Sequence, residues 1–347
     1  MSTRKTSLLI LTTLALAWSL PASQAQTQFE DPAPDLKGRV DLMNAIEVAL
    51  NSGSLEGAES RMADFRTRYP ATSRVRGWEN GNEVLYLYSA TLDLAEAYAE
   101  RGDFDKVLQV FDDEIAGLTL EVPHYSWRLL ATSIPYQLET GAMTRDQIQS
   151  RVDDYRSRFS AMREQVENPG RKGLFKGLVG RMENAALQLD LIGEPAPGFT
   201  FTHAFNAEPA LALDSLHGKV VLIDFWATWC APCMEAWPGL ATLHERWRDR
   251  GFEILSVTSL QGGVGAEKGL TPERELELTL EFVERHQVSW PVLFSDRSVN
   301  DPEYGATTLP SYVILDRDGR VASVLVGHFG ALGEAIIERL VTEYPKS

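Results

Sequence analysis

Cysteine occurs only twice in this chain of 347 residues, at Cys230 and Cys233. Their spacing, Cys-x-x-Cys, belongs to redox chemistry as often as to metal binding, and on a helix residues three apart share one side, a turn from each other. The surrounding text is Asp224-Phe225-Trp226-Ala227-Thr228-Trp229-Cys230-Ala231-Pro232-Cys233. Before it, Lys219 to Trp226 is an apolar run broken only by Asp224, as a buried central strand would be. After it, Ala231 to Arg250 carries helical periodicity. Two thiols exclude a disulfide scaffold and a four-thiolate zinc site, so the fold must rest on its core. A composition of 44% apolar and 24% charged residues supplies that core, and at roughly 150 residues per domain the length predicts two domains.

The rest of the chain divides by pattern. From about Leu36 to Leu191 apolar positions recur three and four apart, which predicts an all-α domain over 26–191. Arg101-Gly102-Asp103-Phe104 reads as the end of one helix, with Gly102 turning the chain and Asp103 capping the next. This hairpin, and the stretch from Leu55 to Pro70, look like tetratricopeptide units, although two hits fall short of the three or so that establish an array. A plain helical bundle fits equally. The basic stretch from Pro169 to Gly173 reads as a solvated helix face.

Pro195, Pro197, Gly193 and Gly198 then mark a boundary, and beyond it 192–347 alternates strand and helix as a single α/β domain. The expected elements are strands at Phe252–Thr258, Ser311–Leu315 and Arg320–Val326, and helices at Pro272–Gln287, capped by Thr271, and Ala331–Tyr344. Pro238 should kink the helix it interrupts. The glycine-rich segment from Ser259 to Thr271 looks like an insertion, and Gly262 to Lys268 within it reads as a mobile loop.

Charge and targeting narrow the setting. Acidic residues outnumber Lys and Arg by 49 to 33, a net charge of −16, which repels nucleic acid and acidic membranes. Arg4 and Lys5, the apolar stretch from Ser7 to Leu20, and Ser23-Gln24-Ala25 form the three parts of a secretory signal peptide, residues 1–25. That stretch is shorter than the roughly 20 residues of a spanning helix. The expectation is an exported, periplasmic protein, soluble after cleavage.

A cysteine at a helix N-terminus meets unpaired backbone N–H groups and the positive end of the helix dipole, which lower a thiol pKa from about 8.5 toward neutrality. Cys230 is therefore expected to be the exposed attacking thiolate and Cys233 the resolving thiol. Asp224, if buried in its apolar strand, should titrate high and exchange a proton with the resolving thiol; the alternative is a polar residue at a solvated strand end.

The Trp-Cys-x-Pro-Cys sequence after Asp-Phe-Trp-Ala resembles the thioredoxin superfamily. Gly193-Glu194-Pro195-Ala196-Pro197-Gly198-Phe199, Thr308-Leu309-Pro310-Ser311, Ile314-Leu315-Asp316-Arg317-Asp318-Gly319 and Gly327 narrow the resemblance to the TlpA/ResA-type extracytoplasmic thiol-disulfide oxidoreductases, over about 193–347. The resemblance implies a thioredoxin-like α/β fold, a cis Pro310 facing the cysteines, and a substrate groove formed by Trp229, the Leu309 backbone and Pro310. It also implies a reductase that acts on protein disulfides and is recharged by a membrane electron donor. The Ala231-Pro232 dipeptide is similar to that of the reducing members. Two departures stand out. Ala236 occupies a position where many members carry Glu, leaving Asp224 to handle the proton, and the 259–271 segment is extra.

Competing chemistries lack residues. Zinc would need two further ligands at the right spacing, covalent haem needs His where Met234 stands, and a phosphate loop needs Ser or Thr where Gly269 stands. A peroxiredoxin's cysteine follows Thr by three residues, whereas Thr228 precedes Cys230 by two. The histidines form no nucleophile-base arrangement. No metal or organic cofactor is expected. The expected function is reduction of disulfides in exported proteins, with the helical domain docking a protein partner; a disulfide oxidase or isomerase, or a partner-binding protein with an accessory redox domain, are the alternatives.

Overall fold

The computed structural model describes residues 36–69, 78–117, 123–198, 200–207, 211, 213–295, 303–306 and 308–343. The signal peptide expected at 1–25 lies outside them. Among the described residues the first seven elements are helices: α1 (Leu36–Asn51), α2 (Leu55–Arg68), α3 (Trp78–Ala99), α4 (Phe104–Gly117), α5 (Pro123–Glu139), α6 (Arg145–Gln165) and α7 (Pro169–Leu191). The all-α reading of this stretch holds, and its ends fall at Leu36 and Leu191.

Compact units part between Ala97 and Tyr98. In the first, α1 and α2 form a hairpin that buries Ile46, Leu50, Leu55, Ala58, Met62 and Phe65. Arg39 lies over the Tyr69 ring, 4.3 Å from its centroid. In the second, Gly102 turns the chain at φ +73°, a conformation glycine adopts without strain, and Asp103 Oδ1 accepts the Lys106 N–H at 3.3 Å as the cap of α4. The helical hairpins are present; the tetratricopeptide reading gains nothing beyond them.

Strands follow: β1 (Phe201–Phe205), β2 (Val220–Phe225), β3 (Phe252–Thr258), the two-residue β4 (Gly263–Val264) and β5 (Glu267–Lys268), β6 (Val292–Ser295), β7 (Ser311–Leu315) and β8 (Val321–Val326). Among them run α8 (Ala231–Trp247), α9 (Pro272–Arg285) and the closing α10 (Gly330–Glu343). Six strands form one sheet in the order β1-β6-β3-β2-β7-β8, with β2, β3 and β6 parallel and β1, β7 and β8 antiparallel to their neighbours. This is the α/β architecture the resemblance implied. β2 is central and buried along its whole length, as its apolar run required. Its alternation sends Val221, Ile223 and Phe225 into one core with Leu255, Val257, Leu293 and Val313, and leaves Asp224 on the other face.

The helices from α5 to α7 belong to the same compact unit as the sheet. Val326 of β8 joins the cluster of Leu130 and Ile134 from α5 with Leu178, Met182 and Ala185 from α7. Gln188 Nε2 donates to the Gly305 carbonyl at 2.9 Å, and Arg339 Nη2 of α10 donates to both carboxylate oxygens of Glu139 of α5, at 3.0 and 3.1 Å. The change from helix to strand at 192 is thus internal to this unit.

Candidate active site

Three chain segments meet at one end of the sheet. β2 and β3 are parallel and aligned, Phe225 beside Val257, so the segments after both leave the same edge. β7 is antiparallel to β2 and begins with Ser311 opposite Phe225, so Thr308-Leu309-Pro310 arrives at that edge too. The cysteine turn, the 259–271 segment and the proline loop are therefore neighbours by topology.

The Trp226 N–H still donates to Val257 at 3.1 Å, after which the chain turns, the Cys230 N–H bonding to Ala227 O at 2.9 Å. Cys230 is the N-cap of α8, with Pro232 in the first turn, where its missing N–H costs nothing. The pair is joined as a disulfide with Cα atoms 5.3 Å apart. Cys230 is 4% exposed and Cys233 0%. The expectation of an exposed Cys230 therefore needs correcting for this oxidised form, because the sulfur is tied to a partner at the buried side of the helix. Trp229, at 51% exposure, stays open to solvent, as do Ala231 and Pro232 between the cysteines.

Asp224 is fully buried, which removes the solvated-strand-end alternative. One oxygen, Oδ2, accepts from Ser256 Oγ at 2.8 Å and from Trp237 Nε1 at 3.2 Å. Ser256 Oγ in turn accepts the Trp290 Nε1–H at 2.8 Å. Oδ1 has no hydrogen-bond partner among the described residues. Burial pushes the carboxyl up to about 6, against the opposing pull of the Ser256 and Trp237 hydrogen bonds. Tyr312 stands opposite Asp224 on β7, and its hydroxyl is raised well above its ordinary value, first by burial and then by the Asp224 charge. Cys233 and Trp237 are four apart on α8 and both buried, so the helix face that reaches Asp224 through the Trp237 indole is the one that carries Cys233. The arrangement provides a dithiol/disulfide pair and a buried acid able to hold a proton near neutral pH.

The Leu309–Pro310 bond is cis, as the resemblance implied. Pro310 is buried and its carbonyl accepts the Gly327 N–H at 2.8 Å, tying the loop to the end of β8. Sequence reasoning did not find Ser256, Trp237 or Trp290 as partners of Asp224, because their meeting depends on strand register and helix docking. It also read Gly262 to Lys268 as a mobile loop. The structure corrects this: the segment is the β4–β5 hairpin, and the Gly265 N–H donates to Thr228 Oγ1 at 3.2 Å while Trp229 Nε1 donates to Gln261 Oε1 at 3.1 Å.

Residues 191–331 match the family model described as Redoxin. ResA of Bacillus thuringiensis (strain Al Hakam), a thiol-disulfide oxidoreductase, is 26% identical over 136 residues, which cover 39% of this chain and 70% of that protein. ResA of Halalkalibacterium halodurans is 28% identical over 168 residues, 42% of this chain and 85% of its own. A solved thiol:disulfide interchange protein from Chlorobium tepidum TLS is 24% identical, covers 42% of this chain and 95% of its own, and superposes with a TM-score of 0.32. The helices before Leu191 lie outside the Redoxin match. With the disulfide at a strand-to-helix turn and the cis proline at the same end of the sheet, the Redoxin match and the similarity to ResA proteins support a TlpA/ResA-type thioredoxin-like thiol-disulfide oxidoreductase in the C-terminal part of the chain.

Proposed function

We propose that the protein is exported and reduces disulfides of exported proteins through Cys230 and Cys233. The observation that carries the reading is the pair at the N-terminus of α8, with its buried member on the helix face that meets Asp224. In the reduced protein the Cys230 thiolate, favoured by the helix terminus, attacks a substrate disulfide. One substrate thiolate leaves and takes a proton from solvent, and the other sulfur stays bonded to Cys230. Cys233 then gives its proton to the Asp224 carboxylate and attacks the Cys230 sulfur. The second substrate thiolate leaves, is protonated, and the Cys230–Cys233 disulfide remains. Two electrons have passed to the substrate, so each turnover needs a dithiol donor, which we place in the membrane. Trp229, the Leu309 backbone and Pro310 line the groove, an extended substrate pairing with the Leu309 backbone as an added strand.

The Ala231-Pro232 dipeptide, similar to that of the reducing members, supports reduction over oxidation. No described helix is long and apolar enough to cross a membrane. The test is turnover of a model protein disulfide by the reduced full-length protein with an excess dithiol. Reduction that is lost in Cys230→Ser supports the reading. Failure to reduce, with efficient oxidation of a reduced substrate by the disulfide form, would replace it with an oxidase. Partner binding by the helices that survives Cys230→Ser, with no exchange in either direction, would make the redox domain accessory.

A further inference from the structure

The segment that departs from the family pattern is built onto the residues just before Cys230. Glu275, in the first turn of α9, is 3% exposed and sends its carboxylate out of the helix into the segment. Its Oε1 accepts the Gln261 N–H at 2.6 Å and its Oε2 accepts the Gly262 N–H at 2.7 Å. Two short bonds to one buried carboxylate hold a loop far more firmly than neutral contacts do, and the N-terminal end of α9 favours the anion there. The Leu270 N–H closes the segment onto Gly262 O at 3.1 Å. Gly263 is required inside, since a Cβ there would run into the Glu267 carbonyl.

From this base the segment makes two hydrogen bonds to the active-site turn. Gly265 N–H binds Thr228, and Gln261 Oε1 holds the Trp229 indole N–H at 3.1 Å. Trp229 is an exposed large ring directly before the reactive cysteine, and an untethered indole in water samples several rotamers. Held by its N–H, it keeps one apolar face presented beside Cys230 without an ordering cost at the moment of encounter.

We infer that the 259–271 hairpin is a specificity element: Glu275 positions it, and Gln261 fixes Trp229 as a platform for an apolar or aromatic side chain next to the substrate cysteine. This rests on the reading of Cys230 as the thiol that meets substrate, and it adds the class of sequence preferred there. Gln261 acts through Trp229 and is a positioning residue.

The experiment follows thiol exchange, in both directions, between the full-length protein and two disulfide-bonded peptides that differ only in having Leu or Ser beside the reacting cysteine. Bis(2-hydroxyethyl) disulfide serves as a substrate with no side chain to place. The wild type should favour the Leu peptide by roughly tenfold in kcat/KM, mostly through KM. Gln261→Leu, similar in shape but lacking the acceptor, should reduce that preference to about twofold or less while leaving turnover of the small disulfide unchanged. Gln261→Glu keeps an acceptor for the indole N–H and should keep the preference. The 19F resonance of 5-fluorotryptophan at position 229 should broaden in Gln261→Leu and stay sharp in Gln261→Glu. Exchange with no preference in the wild type, or a preference untouched by Gln261→Leu, overturns the inference alone. No exchange in either direction overturns the redox reading and this inference with it.

Discussion

Replacing Asp224 by Asn should stabilise the oxidised protein at neutral pH, and by an amount that depends on pH in a defined way. In the folded chain the carboxyl titrates at about 6, raised by burial from the ordinary 3.8. Between those two values the folded state holds a proton that the unfolded chain has released, so stability falls as pH rises through this window. The interval is about 2 pH units, and at about 1.4 kcal/mol per unit the accumulated cost is about 3 kcal/mol above pH 6. The amide of the variant does not titrate. The stability of Asp224→Asn relative to wild type should therefore climb by about 3 kcal/mol from pH 3 to pH 7 and then level off. Any constant offset from the amide's different hydrogen bonds with Ser256 and Trp237 drops out of that slope, as do other carboxylates common to both proteins. Urea unfolding followed by indole fluorescence is a suitable assay, because Trp226, Trp229, Trp237, Trp247 and Trp290 all lie in this domain. A difference independent of pH, or one that falls as pH rises, would refute the assignment of Asp224 as a buried acid.

Other consequences are smaller or more local. Ser256→Ala removes one of the two donors to Asp224 Oδ2 and leaves the Trp290 indole N–H without its acceptor; the carboxyl should titrate above about 6 by carbon-13 NMR, and the domain should lose roughly 1–3 kcal/mol. Gly305→Ala places a side chain at φ +61° with its Cβ 3.0 Å from the Asn184 carbonyl, so thermal unfolding should show a loss of roughly 1–3 kcal/mol. Cys233→Ser should accumulate substrate as mixed disulfides on Cys230, visible by non-reducing electrophoresis, and accumulation of none would remove Cys230 as the attacking thiol.

Much of this was legible in the sequence where one local rule sufficed. Thr271-Pro272 opened α9 where a cap and a first-turn proline should, the Thr271 hydroxyl accepting the Arg274 N–H at 3.3 Å. The apolar run around Asp224 read as a central strand, and the cysteines fell at its exit. β1 and β6 were missed. The first has a mostly exposed pattern, with His203 and Ala204 open, and the second spans only Val292–Ser295, too short for alternation to speak. The partners of Asp224 were invisible because Ser256 reaches it by register across β3 and Trp237 by a helix docking on the sheet. For the same reason nothing local announced that α5 and α7 pack on Val326, or that Glu275 holds the hairpin against Trp229.

The central claim is that the Cys230–Cys233 pair works as a reductant. Its reduction potential in the full-length protein, from equilibration against glutathione and dithiothreitol buffers, tests this most directly. The account predicts a value near that of thioredoxin, about −270 mV. A value near that of a strong oxidant, about −120 mV, would contradict it.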